Sequence, residues 1–196
     1  MIYKNIHMVR GGKLSMVNLQ KGSKVSLKKE DSTLKKLEVG LGWDTRTDLD
    51  SIAYLFDSDN KARETVCFFS KDHEGIFLNG DNLTGEGEGD DEVITVTLDK
   101  LPEWVTKISF CANIYAARIK LWGVKDFSKV NGAYIRIVNA VSQNEICRYD
   151  LQENGKGFNA FYFADLIKNG NEWEFIAVGR GMNGSVEKIQ KQLENR

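Results

Sequence analysis

A mainly β fold, a two-sheet β-sandwich with short helical segments including a C-terminal helix, is what this sequence predicts. Three observations carry the prediction. Apolar residues recur mostly with a period of two. Eighteen glycines and a single proline, Pro102, leave Gly/Asn/Asp turns between the runs. Helical spacing appears in one segment near the C-terminus. Successive side chains of a strand point to opposite faces, so each alternating run can turn one apolar face to a shared core.

The first patterned segment is basic: Lys21, Lys24, Lys28, Lys29, Lys35 and Lys36, with only Glu30 and Asp31 as acids. It has no interleaved aromatics and no nucleic-acid recognition motif, so it reads as a solvated edge strand and turn. Leu37, Val39, Leu41 and Trp43 then alternate with Glu38, Gly40 and Gly42. An apolar strand, Ile52 to Phe56, follows Asp48-Leu49-Asp50, and Gly75-Ile76-Phe77-Leu78 predicts another. Ile94, Val96 and Leu98 alternate with Thr95 and Thr97, and Ile108, Phe110, Ala112 and Ile114 with Ser109, Cys111 and Asn113. Ala133, Ile135 and Ile137 face one way, Tyr134 and Arg136 the other. Asn169-Gly170 predicts a type I′ hairpin turn, after which Trp173, Phe175 and Ala177 repeat the pattern. Val186, Ile189 and Leu193 stand at helical spacing, with Ser185 as N-cap and Glu187 near the helix start. No repeat, Pro-rich linker or low-complexity tail divides the chain, which therefore predicts one domain.

Charge and composition exclude several classes. The 196 residues carry 27 Lys+Arg against 28 Asp+Glu, a formal net charge of -1, so nothing draws the whole chain to nucleic acid or anionic lipid. No stretch of about 18 apolar residues is present, and the start lacks the apolar run of a signal peptide, so no membrane insertion is expected. Cys67, Cys111 and Cys147 are far apart and odd in number, which predicts reduced thiols and a cytoplasmic protein. With only His7 and His73 and no CxxC pair, zinc is disfavoured.

The segment Gly80-Asp81-Asn82-Leu83-Thr84-Gly85-Glu86-Gly87-Glu88-Gly89-Asp90-Asp91-Glu92 holds most of the remaining information. From Asp81 to Glu92 it has six carboxylates and no lysine or arginine. Two like charges about 4 Å apart cost roughly 4 kcal/mol at an effective dielectric of about 20, which a hard cation would relieve. Calcium takes oxygen ligands from carboxylates, amides, backbone carbonyls and water, the inventory on offer; magnesium is the weaker candidate. Leu83 in the third position and the absence of flanking helices exclude an EF-hand. By composition alone a solvated acidic loop competes evenly with a metal site. The interleaved glycines, the Asp-Asn-x-Thr start and the lack of a basic residue tilt it to metal. Asp44, and Asp48 with Asp50, form a second acidic group. Asp48 and Asp50 fall on one side of an extended chain; alone, turn and strand-cap roles explain them better, and beside the acidic segment they could complete one or two cation sites.

On these residues the chain resembles the TerD family of tellurite-resistance and stress-response proteins. Gly40-Leu41-Gly42-Trp43-Asp44, Asp48-Leu49-Asp50 and the Gly80–Glu92 segment carry the resemblance. So do Asn131 to Asn139, Arg148-Tyr149-Asp150-Leu151 and Asn171 to Phe175. It runs from about Val17 to the C-terminus, leaving 1–16 as an N-terminal extension and 17–196 as the domain. It implies a calcium-binding sandwich with two adjacent Ca2+ sites, no catalytic activity, and a scaffold role beside other tellurite-resistance proteins. The implied metal ligands are Asp44, Asp48, Asp50, Asp81, Asn82, Gly85, Gly87, Asp90, Asp91 and Glu92, the glycines through backbone carbonyls. Three departures from the family pattern are the short Thr45-Arg46-Thr47 link, Ala116 where an acid is common, and Glu88 where Asp is common.

Two other functions compete. A calcium-dependent, lectin-like module would need an open position on a surface-facing cation. An enzyme would need a device such as a Glu86/Glu88 acid–base pair. Such a pair requires carboxyls about 5–5.5 Å apart in a sugar-lined cleft, and no aromatic residue adjoins these two. GxSxG and Walker A motifs are absent, and the nearness of His73 to Cys67 in sequence is better explained as turn chemistry.

Overall fold

A computed structural model describes residues 16–45, 48–79, 89–114 and 125–196. Alternation of apolar and polar residues sorts the described strands into two sheets. The first contains β1 (Val17–Leu19), β3 (Lys36–Gly42), β6 (Asp72–His73), β7 (Ile76–Leu78), β8 (Glu92–Thr97), β10 (Tyr134–Asn139) and β11 (Glu145–Asp150), in the order β1-β11-β10-β3-β8-β7-β6. The second contains β2 (Lys24–Ser26), β4 (Leu49–Phe56), β5 (Ala62–Val66), β9 (Lys107–Ile114), β12 (Ala160–Asn169) and β13 (Glu172–Met182), in the order β2-β13-β12-β9-β4-β5. β1 joins β11 in parallel, and the other pairings between these strands are antiparallel.

The period-two pattern becomes the core. Leu37, Val39 and Leu41 of β3, Ile94 and Val96 of β8, and Ile135 and Ile137 of β10 meet Leu49, Ala53 and Leu55 of β4 and Ile108, Phe110 and Ala112 of β9. Burying each large aliphatic side chain contributes roughly 1.5–3 kcal/mol, so this interface dominates the fold's stability. β4 is buried at all eight of its positions. Its other face, Ile52, Tyr54 and Phe56, packs with Cys111 and Tyr162 against Val186, Ile189 and Leu193 of the C-terminal helix (Val186–Glu194). Coverage from both sides explains why β4 reads as a continuous apolar run rather than an alternating one.

Local details refine the expectations. β2, at the edge of its sheet, does carry lysine, but the basic stretch also forms a short helix, Leu27–Glu30. Ser185 stands at the N-cap position without a side-chain capping bond; its hydroxyl donates to Glu187 instead, at 2.7 Å. The β12–β13 hairpin pairs Asn169 with Glu172, so its central residues are Gly170 and Asn171. Only Gly170 has positive φ (60°), the signature of a type II′ turn rather than type I′. Cys67, Cys111 and Cys147 are free and buried, and burial pushes all three thiols up, away from the reactive thiolate. Among the described residues no helix is long and apolar enough to cross a membrane.

A candidate cation site at one end of the sandwich

The C-terminal ends of β3 and β9 and the N-terminal ends of β4, β8 and β10 converge. Leu41 lies opposite Glu92, Gly42 opposite Tyr134, and Leu49 opposite Ile114. Asp90, Asp91 and Glu92, contiguous in sequence, enter this end together and then part company.

Glu92 follows the inward parity of Ile94 and Val96 and is 2% exposed. Its Oε2 accepts a 2.6 Å bond from the Ser51 N–H of β4, in the opposite sheet. The pairing of β5 with β4 begins only at Ala53, so it leaves this edge of β4 open at Ser51 and the carboxylate satisfies the peptide group there. Asp91 stays at the strand end: its N–H donates to the Leu41 carbonyl at 2.9 Å and its Oδ2 accepts from the Trp43 N–H at 2.7 Å.

Asp90 turns to the outer face of the first sheet. Its Oδ1 accepts from Arg136 Nε at 2.7 Å and Tyr134 Oη at 2.9 Å, and its Oδ2 from Arg136 Nη2 at 2.9 Å. The guanidinium also donates from Nη1 to Glu145 at 2.8 Å. Hydrogen bonds to two carboxylates hold the Arg136 charge above its ordinary range, while burial and the neighbouring Asp90 push the Tyr134 phenol up. The basic partner missing from the acidic segment is thus supplied by β10.

Asp48 and Asp50 are 5% and 4% exposed, and Asp50 is in register with Asn113 of β9. Two neutral oxygens here, Ser51 Oγ and Asn113 Oδ1, are buried with no hydrogen-bond partner among the described residues. Asp44 is exposed, donates its N–H to the Asn131 carbonyl at 2.8 Å, and lies against Gly132, where any Cβ would overlap its carboxylate. Asp81, Asn82, Gly85 and Gly87, together with Glu86 and Glu88, lie outside the described residues. Among the described residues, no group of three or more His, Cys, Asp or Glu side chains is arranged to hold a metal ion by itself.

Asp50 and Asn113, paired across β4 and β9, and Glu92 of β8 and Ser51 of β4, on the inner side of the two sheets, present oxygen donors, the chemistry a hard divalent cation prefers. The sequence reading missed Ser51, Asn113, Tyr134 and Arg136. One signal for the last two was present: Gly40 and Gly42 alternate on β3 as Arg136 and Tyr134 alternate on β10, so glycines face large polar residues across the ladder. Away from this end, Ser70 Oγ lies 2.9 Å from His73 Nε2, and His73 Nδ1 is 3.2 Å from Glu64 Oε2. That order mimics a hydrolase triad, but Glu64 Oε2 makes no aligned hydrogen bond among the described residues, so the imidazole is not oriented as a general base needs. Cys67 takes no part in it.

The TerD domain family model matches residues 16–193. The chain is 38% identical over 187 residues to a protein named tellurium resistance protein TerD from Serratia marcescens, spanning 90% of this chain and 96% of that one. It is also 38% identical over 185 residues to general stress protein 16U of Bacillus subtilis (strain 168), spanning 88% and 94%. Its fold is similar to the crystal structure of a telluride resistance protein (TerD) homologue from Streptomyces coelicolor A3(2), with a TM-score of 0.66, 22% identity, and coverage of 82% of this chain and 98% of that one.

Proposed function

The chain belongs to the TerD family, and from that premise we propose that it is a non-enzymatic calcium-binding protein of the stress-response, tellurite-resistance type. The observation that carries the proposal is the burial of oxygen-bearing side chains on both faces of one end of the sandwich: Asp50 in register with Asn113 on the helix-facing side of the second sheet, and Glu92 bonded to the Ser51 N–H between the sheets, with Asp48 buried just before β4. A buried carboxylate is costly to leave in its charged form, and a divalent cation is one partner that offsets that cost. The described acids would supply part of the coordination, with Asp91 next to them. Asp81, Asn82 and the Gly85 and Gly87 carbonyls would complete two Ca2+ sites.

Bound calcium would supply charge neutralisation and cross-linking, not chemistry on a substrate. Glu92 already joins the two sheets, so a cation on its carboxylate would stiffen the junction between them. A stiffened end is a surface that calcium switches on, which suits a scaffold that docks other tellurite-resistance proteins inside the cytoplasm.

Calorimetric titration of the chelator-treated chain with calcium and with magnesium tests the reading, with melting temperature followed in parallel. The expected result is two calcium ions per chain, much weaker magnesium, and stabilisation of roughly 2.7 kcal/mol per independent site at about 100 times Kd. No calcium uptake at millimolar concentration overturns it.

A further inference from the structure

The three consecutive acids Asp90, Asp91 and Glu92 do not share one environment, and the difference assigns them different work. The Asp90 side chain is 10% exposed and accepts three hydrogen bonds, two of them from one guanidinium. Arg136 is itself held on its other side by Glu145, and Tyr134 by the Arg148 guanidinium, 3.5 Å from its ring centre. Space for this grip is built into β3. A Cβ on Gly40 would overlap the Asp90 carboxylate, and one on Gly42 would overlap the Tyr134 ring. To coordinate a cation, Asp90 would have to surrender a neutralised, bidentate ion pair already in place.

We infer that Asp90 is an anchor rather than a cation ligand, and that Arg136 is the positioning residue that holds it. The grip pins the chain to the outer face of the first sheet immediately before β8. Asp91 is thereby delivered to the strand end and Glu92 to the junction between the sheets. Neutralising one of three adjacent acids also reduces the repulsion that would otherwise splay them. The inference rests on the calcium-binding reading above, and it removes one residue from the ligand set that the family resemblance implies.

The test is calcium calorimetry on the full chain, at a temperature where every variant is folded, for the wild type, Asp90→Asn, Arg136→Gln, the double variant, Arg136→Lys and Tyr134→Phe. An anchor acting through its partner predicts that each of the first two weakens calcium binding by about tenfold or more, as loss of supporting contacts around metal sites does. The double variant then binds no more weakly than the worse single, because both break the same contact. Arg136→Lys keeps the charge but not the fork and falls between wild type and Arg136→Gln. Tyr134→Phe, a mild change that spares the ion pair, weakens binding slightly in the same direction.

Three results overturn the assignment. Asp90→Asn weakens binding while Arg136→Gln leaves it unchanged or tightens it, as expected when a freed carboxylate becomes a ligand. Alternatively, the double variant loses the product of the two single losses. Lastly, Arg136→Gln, Arg136→Lys and Tyr134→Phe all bind like wild type. If the wild type itself takes up no calcium, the calcium reading falls and this inference with it; the other failures leave that reading intact.

Discussion

The Glu92 carboxylate on β8 and the Ser51 N–H on β4 are joined by a 2.6 Å hydrogen bond that crosses from one sheet to the other. Both residues are buried, so the peptide group has no water to fall back on. Glu92→Ala is expected to lower the stability of metal-free protein by about 1–3 kcal/mol, the cost of leaving a buried donor unmade. Glu92→Gln keeps an acceptor and loses less. Urea unfolding of both variants checks this; equal losses would contradict the bond's role.

Ser51 also carries a hydroxyl that is fully buried and has no hydrogen-bond partner among the described residues. Removing such a group costs little, because its burial was already unfavourable. Ser51→Ala should leave the metal-free chain within about 0.5 kcal/mol of wild type, or more stable. If the hydroxyl is a cation ligand, the same variant binds calcium more weakly, and melting curves with and without calcium separate the two effects.

Gly40 provides the floor on which Asp90 rests, and a methyl group there would overlap that carboxylate. Gly40→Ala is expected to destabilise the chain by about 1–3 kcal/mol, as overpacking does. Alanine otherwise suits a strand better than glycine, so an unchanged or raised denaturant midpoint would show that the Asp90 contact is dispensable.

Asp31 accepts from the Thr33 hydroxyl at 2.6 Å, the Thr33 N–H at 2.9 Å and Asn139 Nδ2 at 2.6 Å. The Thr33 hydroxyl foremost, then Asn139 and the Thr33 N–H, hold its carboxyl below the ordinary 3.8 against the opposing effect of burial. A depressed carboxylate contributes stability that is fully present above its unfolded value and is lost as pH falls through the folded one. The contribution therefore persists at neutral pH and disappears in the window below about pH 4. Thr33→Val should reduce stability at pH 7 and flatten the acid limb of the stability profile. Parallel profiles for variant and wild type between about pH 2 and 5 would refute this.

Local pattern determined much of this protein. Alternation along Leu37–Trp43, Ile94–Leu98, Ile108–Ile114 and Ala133–Ile137 identified core faces, because the period of a strand is set by the backbone alone. The three-and-four spacing of Val186, Ile189 and Leu193 identified the C-terminal helix for the same reason. The glycine-rich acidic motifs marked the family. Pairing between distant strands was beyond the reach of local pattern. Which turn closes the β12–β13 hairpin depended on strand register, which moved the turn one residue past Asn169-Gly170. Asp90, Asp91 and Glu92 formed one charge cluster in sequence, yet Arg136, Trp43 and Ser51, respectively 46, 48 and 41 residues away, drew them to three different places. Charge is a property of the residue and can be read from the chain; the partner that neutralises or directs it is chosen by tertiary packing.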